Sequence, residues 1–387
     1  MATSKPIYLD YNATTPLTPE VIRAMRPFLE ERFGNPSSAH PYGRITHKAV
    51  ENARQRVAAL IHADPREIIF TSGGTESNNI ALQGIAKAYA SKGTHIITSA
   101  IEHPAVTEVC RHLSTQGFAI TVLPVDQYAR VSPQDLEKAL RPETVLVSIM
   151  QANNEVGTIQ PIARLAELTH QAGALFHTDA AQSVGKIPVD LQNLGVDALS
   201  IAGHKLYAPK GVGALYLREG VKLEKILFGA GQENNRRPGT ENVLEIVGLG
   251  RAAEQAANDL TILSAHFKTL RDRLHAGLTA ALAPGTIRLN GHPEDRLPNT
   301  LNLSFKGIEA NHLLNKISDH VAASAGAACH ADQVQISSVI AAMGVPVAWA
   351  KGTVRFSVGR MTTAEEIDQT IVLVAQAVEA MRSTTNQ

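Results

Sequence analysis

One short segment carries the residue types that bind a phosphate group. Residues 72–79 read SGGTESNN and precede an apolar helical stretch. The two glycines let the backbone approach a ligand closely, and Thr75 and the first helical amides provide hydrogen-bond donors at a helix N-terminus. The segment therefore predicts a phosphate-binding loop that includes Gly74 and Thr75. Taken alone, a plain glycine-rich turn that caps a helix is the more common structure.

Asp179 stands at the end of an apolar run in the segment HTDAAQ, residues 177–182. A carboxylate at the end of a buried strand needs a partner, because burying an unpaired charge is costly. A protonated ring nitrogen of a bound cofactor is one such partner. A helix N-cap is the alternative explanation, and for an isolated aspartate it is the commoner one.

Lys205 follows the next predicted strand in the segment SIAGHKLYAPKG, residues 200–211. Desolvation or a neighbouring cation lowers the pKa of a lysine amine at such a position, which lets the amine attack a carbonyl carbon. Most lysines are solvated surface residues, so Lys205 alone would indicate little. A phosphate loop, a carboxylate and an amine on successive sheet segments together predict a site for pyridoxal 5'-phosphate (PLP).

The elements that must position these residues alternate between short β-branched runs and helices. Strands are predicted at residues 95–99, 145–150, 174–178, 198–202 and 213–217, with helices at 77–90 and 162–172. This alternation is typical of a mostly parallel sheet whose faces are covered by helices. Open α/β sheets bind ligands at the carboxyl ends of their strands, and the three segments lie there.

The pattern changes from about residue 249. A long helical stretch covers residues 252–282, and the strand-like runs LNLSF and TVRFSV lie on either side of SAGAAC, before a terminal helix. We predict an α/β protein whose large domain, with a mostly parallel, helix-covered sheet, covers residues 16–255. A smaller α+β domain would consist of residues 1–15 and 256–387.

Composition narrows the possible functions. The 387 residues contain 36 Lys and Arg against 36 Asp and Glu, so the chain lacks the basic excess of a nucleic-acid or membrane-surface binder. Two distant cysteines form neither a disulfide framework nor a CxxC metal site, so we expect no metal. The N-terminus resembles no secretory signal, and no apolar run approaches the ~20 residues of a membrane span. We expect a cytoplasmic protein.

Several motifs occur in a fixed order along almost the whole chain. They are YLDYNATTP (residues 8–16), GNPSS (34–38), FTSGGTESNN, NNEVG, HTDAAQ, GHK, RPGTEN (237–242) and SVGRMTT. With them the chain resembles the cysteine desulfurase branch of the class-V aminotransferase-like enzymes, which are PLP enzymes of fold-type I. The runs DYNATTP, FTSGGTESNN, RPGTEN and GAACH (326–330) resemble the selenocysteine lyases most within that branch.

The resemblance implies a role for each residue that would hold the cofactor. Lys205 would bind PLP covalently, Asp179 would pair with the ring nitrogen, and Gln182 would contact the ring hydroxyl. His103 would stack on the ring and move protons. The phosphate would be held by Gly74, Thr75 and His204, together with Thr240 from a neighbouring subunit. The chain would therefore form a homodimer.

The same resemblance implies the substrate site. Asn12, Asn154 and Arg355 would bind the α-carboxylate side of the substrate, and Asn154 would also contact the cofactor. Arginine suits that task because its guanidinium is permanently charged and can form two parallel hydrogen bonds with a carboxylate.

Cys329 lies in the segment SAGAACHADQVQIS, whose small residues predict an accessible loop. His330 beside it would help to stabilise the thiolate. Before the resemblance is considered, an inert thiol is as good an explanation. With it, Cys329 is the predicted nucleophile that carries sulfur as a persulfide. Cys110, in the amphipathic run AVTEVCRHL, is instead predicted to lie in the core.

The predicted reaction converts L-cysteine to L-alanine and passes the sulfur from Cys329 to an acceptor protein. The first alternative is a selenocysteine lyase that converts L-selenocysteine to L-alanine and a selenium species. An ordinary class-V aminotransferase would need no loop cysteine, and a non-catalytic sulfur carrier would need no PLP.

Two positions depart from the desulfurase pattern. Ala202 precedes GHK where many desulfurases carry a serine that contacts the phosphate, although selenocysteine lyases also have an apolar residue there. Pro104 follows His103 where many desulfurases have lysine and mammalian selenocysteine lyases have aspartate. Pro104 therefore favours neither substrate.

Overall fold

The structure is a computed structural model that describes residues 5–325 and 336–385. Its strands are β1 (Ile7–Tyr8), β2 (Ile68–Thr71), β3 (His95–Ser99), β4 (Ala119–Leu123), β5 (Thr144–Ser148), β6 (Leu175–Asp179), β7 (Ala198–Ala202), β8 (Gly213–Leu217), β9 (Ile287–Asn290), β10 (Thr300–Phe305), β11 (Val321–Ala322) and β12 (Thr353–Ser357). Its helices are α1 (Pro19–Glu30), α2 (Pro41–Ile61), α3 (Gly74–Ala88), α4 (Pro104–Thr115), α5 (Pro133–Ala139), α6 (Ile162–Gln171), α7 (Leu191–Leu194), α8 (Gln232–Asn235), α9 (Val243–Ala281), α10 (Ala310–Ile317), α11 (Ser338–Ala342), α12 (Val347–Ala350) and α13 (Ala364–Thr385).

Strands β2 to β8 form a seven-stranded sheet in the order β2-β8-β7-β6-β5-β3-β4. Strand β8 runs antiparallel to both of its neighbours, and every other pair in this sheet is parallel. The predicted α/β class with a mostly parallel sheet is therefore confirmed. The predicted strands at 95–99, 198–202 and 213–217 coincide with β3, β7 and β8.

The strands of this sheet place apolar side chains on both faces, and helices cover both. All five residues of β3 are buried, and Ile96 packs in one apolar cluster with Ile85 of α3 and Val109 of α4. The next residue, Ile97, lies in the cluster on the opposite face, with Leu165 of α6. Alternate residues of each strand thus serve two helical layers, as the two-residue period of a strand requires.

A second apolar core surrounds the smaller sheets. Strands β9, β10 and β12 form an antiparallel sheet in the order β12-β10-β9, and β1 pairs in parallel with β11. Leu9, which follows β1, packs in the same cluster as Phe305 of β10 and Phe356 of β12. The N-terminal segment and the C-terminal part of the chain therefore share one core.

Helix α9 belongs to both cores. Leu249 and Ala253 pack under the large sheet, whereas Phe267, Leu270 and Leu274 pack in the second core. The helix begins nine residues before the predicted start at residue 252. Glycine has a low helix propensity, but a Cβ at Gly250 would lie 2.6 Å from the Cα of Ala53, so glycine lets α2 and α9 pack closely. The domain boundary at residue 255 stays a prediction.

One turn has an unusual backbone. In α8, Glu233, Asn234 and Asn235 have φ angles of 49°, 53° and 64°, which is the left-handed region that residues other than glycine adopt rarely. Arg54 donates from both terminal nitrogens to the Glu233 carboxylate, at 2.7 and 2.8 Å. The backbone N–H of Phe70 in β2 donates to the same carboxylate at 2.9 Å. The turn is thus fixed to α2 and to the edge of the large sheet.

None of the helices in residues 5–325 and 336–385 has both the length and the apolar composition that crossing a membrane requires.

Candidate active site

A cavity of about 290 Å³ lies at the carboxyl ends of the parallel strands of the large sheet. The residues predicted for the site that line this cavity are Asn12, Gly74, Thr75, His103, Asn154, Asp179, Gln182, His204, Lys205 and Arg355. Thr240 is exposed and does not line it, and Cys329 lies outside the described residues. Segments more than 300 residues apart in sequence are therefore brought to one place, as expected for an open α/β sheet.

The predicted phosphate loop connects β2 to α3. The helix begins at Gly74, three residues earlier than predicted, and no side chain caps its N-terminus. Gly73 has φ 154° and ψ 179°, a conformation that is essentially restricted to glycine. The N–H groups of a helix's first turn have no partner within the helix, so an uncapped N-terminus can accept an anion. These residues fit a phosphate group.

Asp179 is the last residue of β6 and is 7 % exposed. Its carboxylate accepts hydrogen bonds from Asn78 Nδ2 at 2.7 Å and from the backbone N–H of Ala181 at 2.9 Å. No helix starts here, so Asp179 is not the helix N-cap of the alternative explanation. It forms no ion pair within the described part of the chain, and the buried Asn78 Oδ1 likewise has no hydrogen-bond partner there. A cationic ring nitrogen would suit this carboxylate.

Lys205 ends a 3₁₀ turn, Gly203–Lys205, that follows β7 directly. Burial lowers the pKa of Lys205 below its ordinary value of 10.5. The Arg355 charge acts in the same direction, against the carboxylates of Asp179 and Asp10, which raise this pKa. A lowered pKa increases the fraction of free amine, which is the nucleophilic form.

His204, beside Lys205, has a pKa lowered to about 4, first by burial and then by the charge of Lys205. Its ring is therefore neutral at physiological pH, and Nδ1 lies 3.3 Å from the hydroxyl of Thr14. A neutral imidazole can still donate one hydrogen bond to a phosphate.

His103 is the N-cap of α4, because its Nδ1 accepts a hydrogen bond from the backbone N–H of Ala105 at 3.1 Å. Burial lowers the pKa of His103, and so does the charge of Lys205, while Asp179 opposes them. An accepting Nδ1 requires that the neutral ring carries its proton on Nε2. Pro104 is the first residue of the helix, a position that proline favours. The helix start thus accounts for Pro104.

Asn12 has a different environment from the one expected of a substrate-binding residue. Its side chain is 1 % exposed, and its Nδ2 donates to the backbone oxygen of Asn154 at 3.1 Å and to Thr300 Oγ1 at 2.8 Å. Its Oδ1 accepts from Lys186 Nζ at 3.1 Å and from Asn299 Nδ2 at 2.9 Å. All four hydrogen-bonding positions of this amide are occupied, so a substrate would have to displace one of these partners.

Arg355 projects from β12 and is 5 % exposed. Its Nη2 donates to Asp10 at 2.7 Å and its Nη1 donates to the backbone oxygen of Asn154 at 3.0 Å. Its Nε has no hydrogen-bond partner in the described residues. An incoming carboxylate would therefore compete with Asp10 for a guanidinium that already borders the cavity.

A second cavity of about 890 Å³ adjoins the first, since His103 and Asn154 line both. Cys110 borders this second cavity but is 3 % exposed, and burial raises the pKa of its thiol to about 12. The predicted core position of Cys110 is therefore confirmed, and its thiol is un-ionised at neutral pH. Ile336 and Ser337, with which the described chain resumes after Ala325, also line this cavity.

Residues 7–370 match the family model described as aminotransferase class-V. The chain is also 48 % identical, over 378 residues, to cysteine desulfurase IscS of Dictyoglomus turgidum, a match that covers 97 % of this chain and 95 % of that protein. This chain belongs to the cysteine desulfurase family.

Solved structures support membership of the cysteine desulfurase family. A NifS-like protein has a TM-score of 0.91 at 38 % identity, covering 97 % of this chain and 99 % of its own. SspA in complex with cysteine has a TM-score of 0.80 at 35 % identity, covering 91 % and 98 %. The predicted family and the predicted fold are both confirmed. The desulfurase name of the relatives favours sulfur over the selenium alternative.

Two residues at the site of this family member could not be recognised from the sequence pattern. Asn78 supports Asp179 from the first turns of α3, and its position four residues after Gly74 was the one available signal. Lys186 contacts two of the predicted site residues, but it stands in a loop between glycine and isoleucine, where no pattern distinguishes it from a surface lysine.

Proposed function

We propose that this protein is a PLP-dependent cysteine desulfurase that converts L-cysteine to L-alanine and retains the sulfur as a persulfide on Cys329. One observation carries the proposal. A single cavity brings together a lysine of lowered pKa, a buried carboxylate that has no cationic partner among the described residues, and a helix N-terminus without a side-chain cap. Membership of a family of PLP enzymes and the desulfurase relatives support it.

The residues that would hold PLP line the cavity and have groups available to bond a ligand there. Lys205 would provide the amine, Asp179 the partner of the ring nitrogen, and Gln182 the donor to the ring hydroxyl. The first turn of α3, with Thr75 and His204, would bind the phosphate. The bound cofactor supplies an electron sink that allows the Cα–H bond of an amino acid to ionise.

The protein's own groups would then move protons and hold the substrate. The amine of Lys205, favoured in its free form by burial, would accept the Cα proton. His103, with its proton on Nε2, would donate from that atom and recover the proton there, because Nδ1 is occupied by the cap. Arg355 would bind the substrate carboxylate in place of Asp10.

Cys329 would complete the reaction as a thiolate that attacks the substrate sulfur. The Cβ–S bond of the substrate would break as an S–S bond forms. The electron pair of the broken bond would stay with Cβ, which is reduced and takes up a proton to become the methyl group of alanine, while the sulfur is oxidised to the persulfide level. The buried thiol of Cys110, whose pKa is raised, cannot substitute for it. An acceptor protein for the persulfide sulfur, and a cytoplasmic location, belong to the same proposal.

The decisive experiment measures alanine release from L-cysteine and from L-selenocysteine, with the wild type, Cys329→Ala and the matched control Cys110→Ala. We expect turnover of L-cysteine that Cys329→Ala abolishes and Cys110→Ala retains. Unchanged activity of Cys329→Ala would indicate an aminotransferase-type reaction instead. Useful turnover of selenocysteine alone would indicate a selenocysteine lyase, and absence of bound PLP would overturn the proposal.

A homodimer is also proposed, and the surface of α1 and α2 supports it. Leu29 and Phe33 are 73 % and 79 % exposed, and the ring of Phe33 stacks on that of the exposed Tyr42 with centroids 5.5 Å apart. Contiguous exposed apolar side chains mark association surfaces. Mixing Lys205→Ala with Thr240→Ala subunits tests it. One active site of each mixed dimer would be intact if Thr240 acts across the interface, whereas no recovery of activity would contradict this role.

A further inference from the structure

Lys186 is a buried lysine that the proposed reaction does not use. It is 5 % exposed, and its Nζ donates to Gln182 Oε1 at 2.6 Å and to Asn12 Oδ1 at 3.1 Å. Within residues 5–325 and 336–385, no carboxylate lies within 4.0 Å of this amine. A buried amine that contacts only two amide oxygens costs free energy compared with an apolar residue of the same size, which indicates a role other than stability.

The contacts around Lys186 fix the orientation of both amides. Gln182 Nε2 donates to the backbone oxygen of Asn12 at 3.0 Å, and Asn12 Nδ2 donates to the backbone oxygen of Asn154. Backbone oxygens can only accept, so each amide must turn its own oxygen toward Lys186. Lys186 occupies both oxygens and thereby opposes a flip of either amide.

The orientation of Gln182 matters because its side chain lines the cavity whereas Lys186 does not. An amide nitrogen carries two hydrogens, and Asn12 accepts one of them from Gln182. The second N–H of Gln182 stays available to a ligand. If the amide were flipped, its oxygen would take that place and would repel an oxygen atom of the ligand.

We propose that Lys186 is a positioning residue that holds the N–H of Gln182 toward the ring oxygen of the cofactor. The inference rests on the proposed function, in which Gln182 donates to the ring hydroxyl. Through Asn12, Lys186 also joins Gln182 to Asn299 and Thr300, so the start of β10 contributes to the orientation of this amide. Both bonds need only two N–H hydrogens, which a lysine amine has in either protonation state.

The test combines Lys186→Met and Gln182→Met, singly and together, with the exposed-lysine variant Lys138→Met as control. The dissociation constant for PLP and the visible absorbance spectrum at saturating PLP are measured for each. We expect Lys186→Met and Gln182→Met each to raise the dissociation constant about tenfold and to shift the spectrum in the same way. The double variant should be no worse than Gln182→Met, because Lys186 acts through Gln182.

Two outcomes would overturn this inference while leaving the proposed function intact. One is a Lys186→Met protein with wild-type PLP affinity and spectrum, and the other is a double variant whose losses multiply. Failure of the wild type to bind PLP would instead overturn the proposed function itself.

Gln182→Glu separates positioning from folding if Lys186→Met folds poorly. It gives Lys186 a carboxylate partner, which offsets the loss of the N–H that the backbone oxygen of Asn12 accepts, but it removes the N–H donor to the ligand. The melting temperature of the apoprotein should therefore change little while PLP affinity falls. Parallel changes in both quantities would contradict the positioning role.

Discussion

Two regions of this molecule that hold buried charges pair them differently: the left-handed turn of α8 and the cavity at the carboxyl ends of the large sheet. In the turn, the carboxylate of Glu233 meets both terminal nitrogens of Arg54 and a backbone N–H. In the cavity, Asp179 has hydrogen-bond donors but no cation, and Lys205 is desolvated without an ion-pair partner among the described residues.

The comparison distinguishes two kinds of buried charge. In the turn, an ion pair stabilises the backbone, whereas in the cavity the charged groups have no ion-pair partner among the described residues and can bind a ligand. Charges that satisfy one another can stabilise a strained turn, whose left-handed residues each cost roughly 1–3 kcal/mol. Charges that lack a partner reduce stability and mark a functional site. Substitutions in the two regions should therefore have opposite consequences for folding and for activity.

The largest effect is expected from Lys205→Ala. Removal of the amine should lower turnover of L-cysteine by at least about a thousandfold and abolish the visible absorbance of covalently held PLP. The apoprotein should melt at or above the wild-type temperature, because a desolvated amine has been removed. Lys210→Ala, an exposed lysine five residues away, is the control. A strongly destabilised Lys205→Ala protein would contradict the distinction between the two regions.

The opposite result is expected from Glu233→Gln. Loss of the carboxylate leaves the buried guanidinium of Arg54 without its partner, which should lower the free energy of unfolding by about 3–5 kcal/mol. Denaturant titration of the apoprotein measures this. Glu51→Gln removes the exposed carboxylate that also contacts Arg54 and should cost less than about 1 kcal/mol. Equal costs for the two variants would show that burial does not govern this ion pair.

A smaller effect distinguishes the two functions of His103. Both His103→Ala and His103→Asn should lose proton transfer, but asparagine can still accept the hydrogen bond of Ala105. His103→Ala should therefore be about 1 kcal/mol less stable than His103→Asn, with similar loss of activity. Thermal unfolding and alanine release are the two measurements. Equal stability would mean that the cap contributes nothing.

Much of the large sheet could be predicted because its signals are local. The buried strands are short segments with apolar residues that alternate with helices, and the carboxyl ends of parallel strands meet at one edge, so ten predicted residues line one cavity. What sequence could not supply were contacts between distant segments. Arg54 and Glu233 are 179 residues apart, and the four partners of the Asn12 side chain come from three other segments. The start of α9 was predicted too late in the chain. Glycines such as Gly250 have a low helix propensity, and the close packing that they permit against α2 is visible only in the fold.

Helix α9 also has a consequence for how the protein denatures. With 39 residues it is about 58 Å long, and its two halves are buried in different cores. If one core unfolded alone, the half of α9 that packs in it would lose its contacts and expose its buried leucines, while the other half stayed packed. Calorimetry of the apoprotein should therefore show one cooperative transition rather than two.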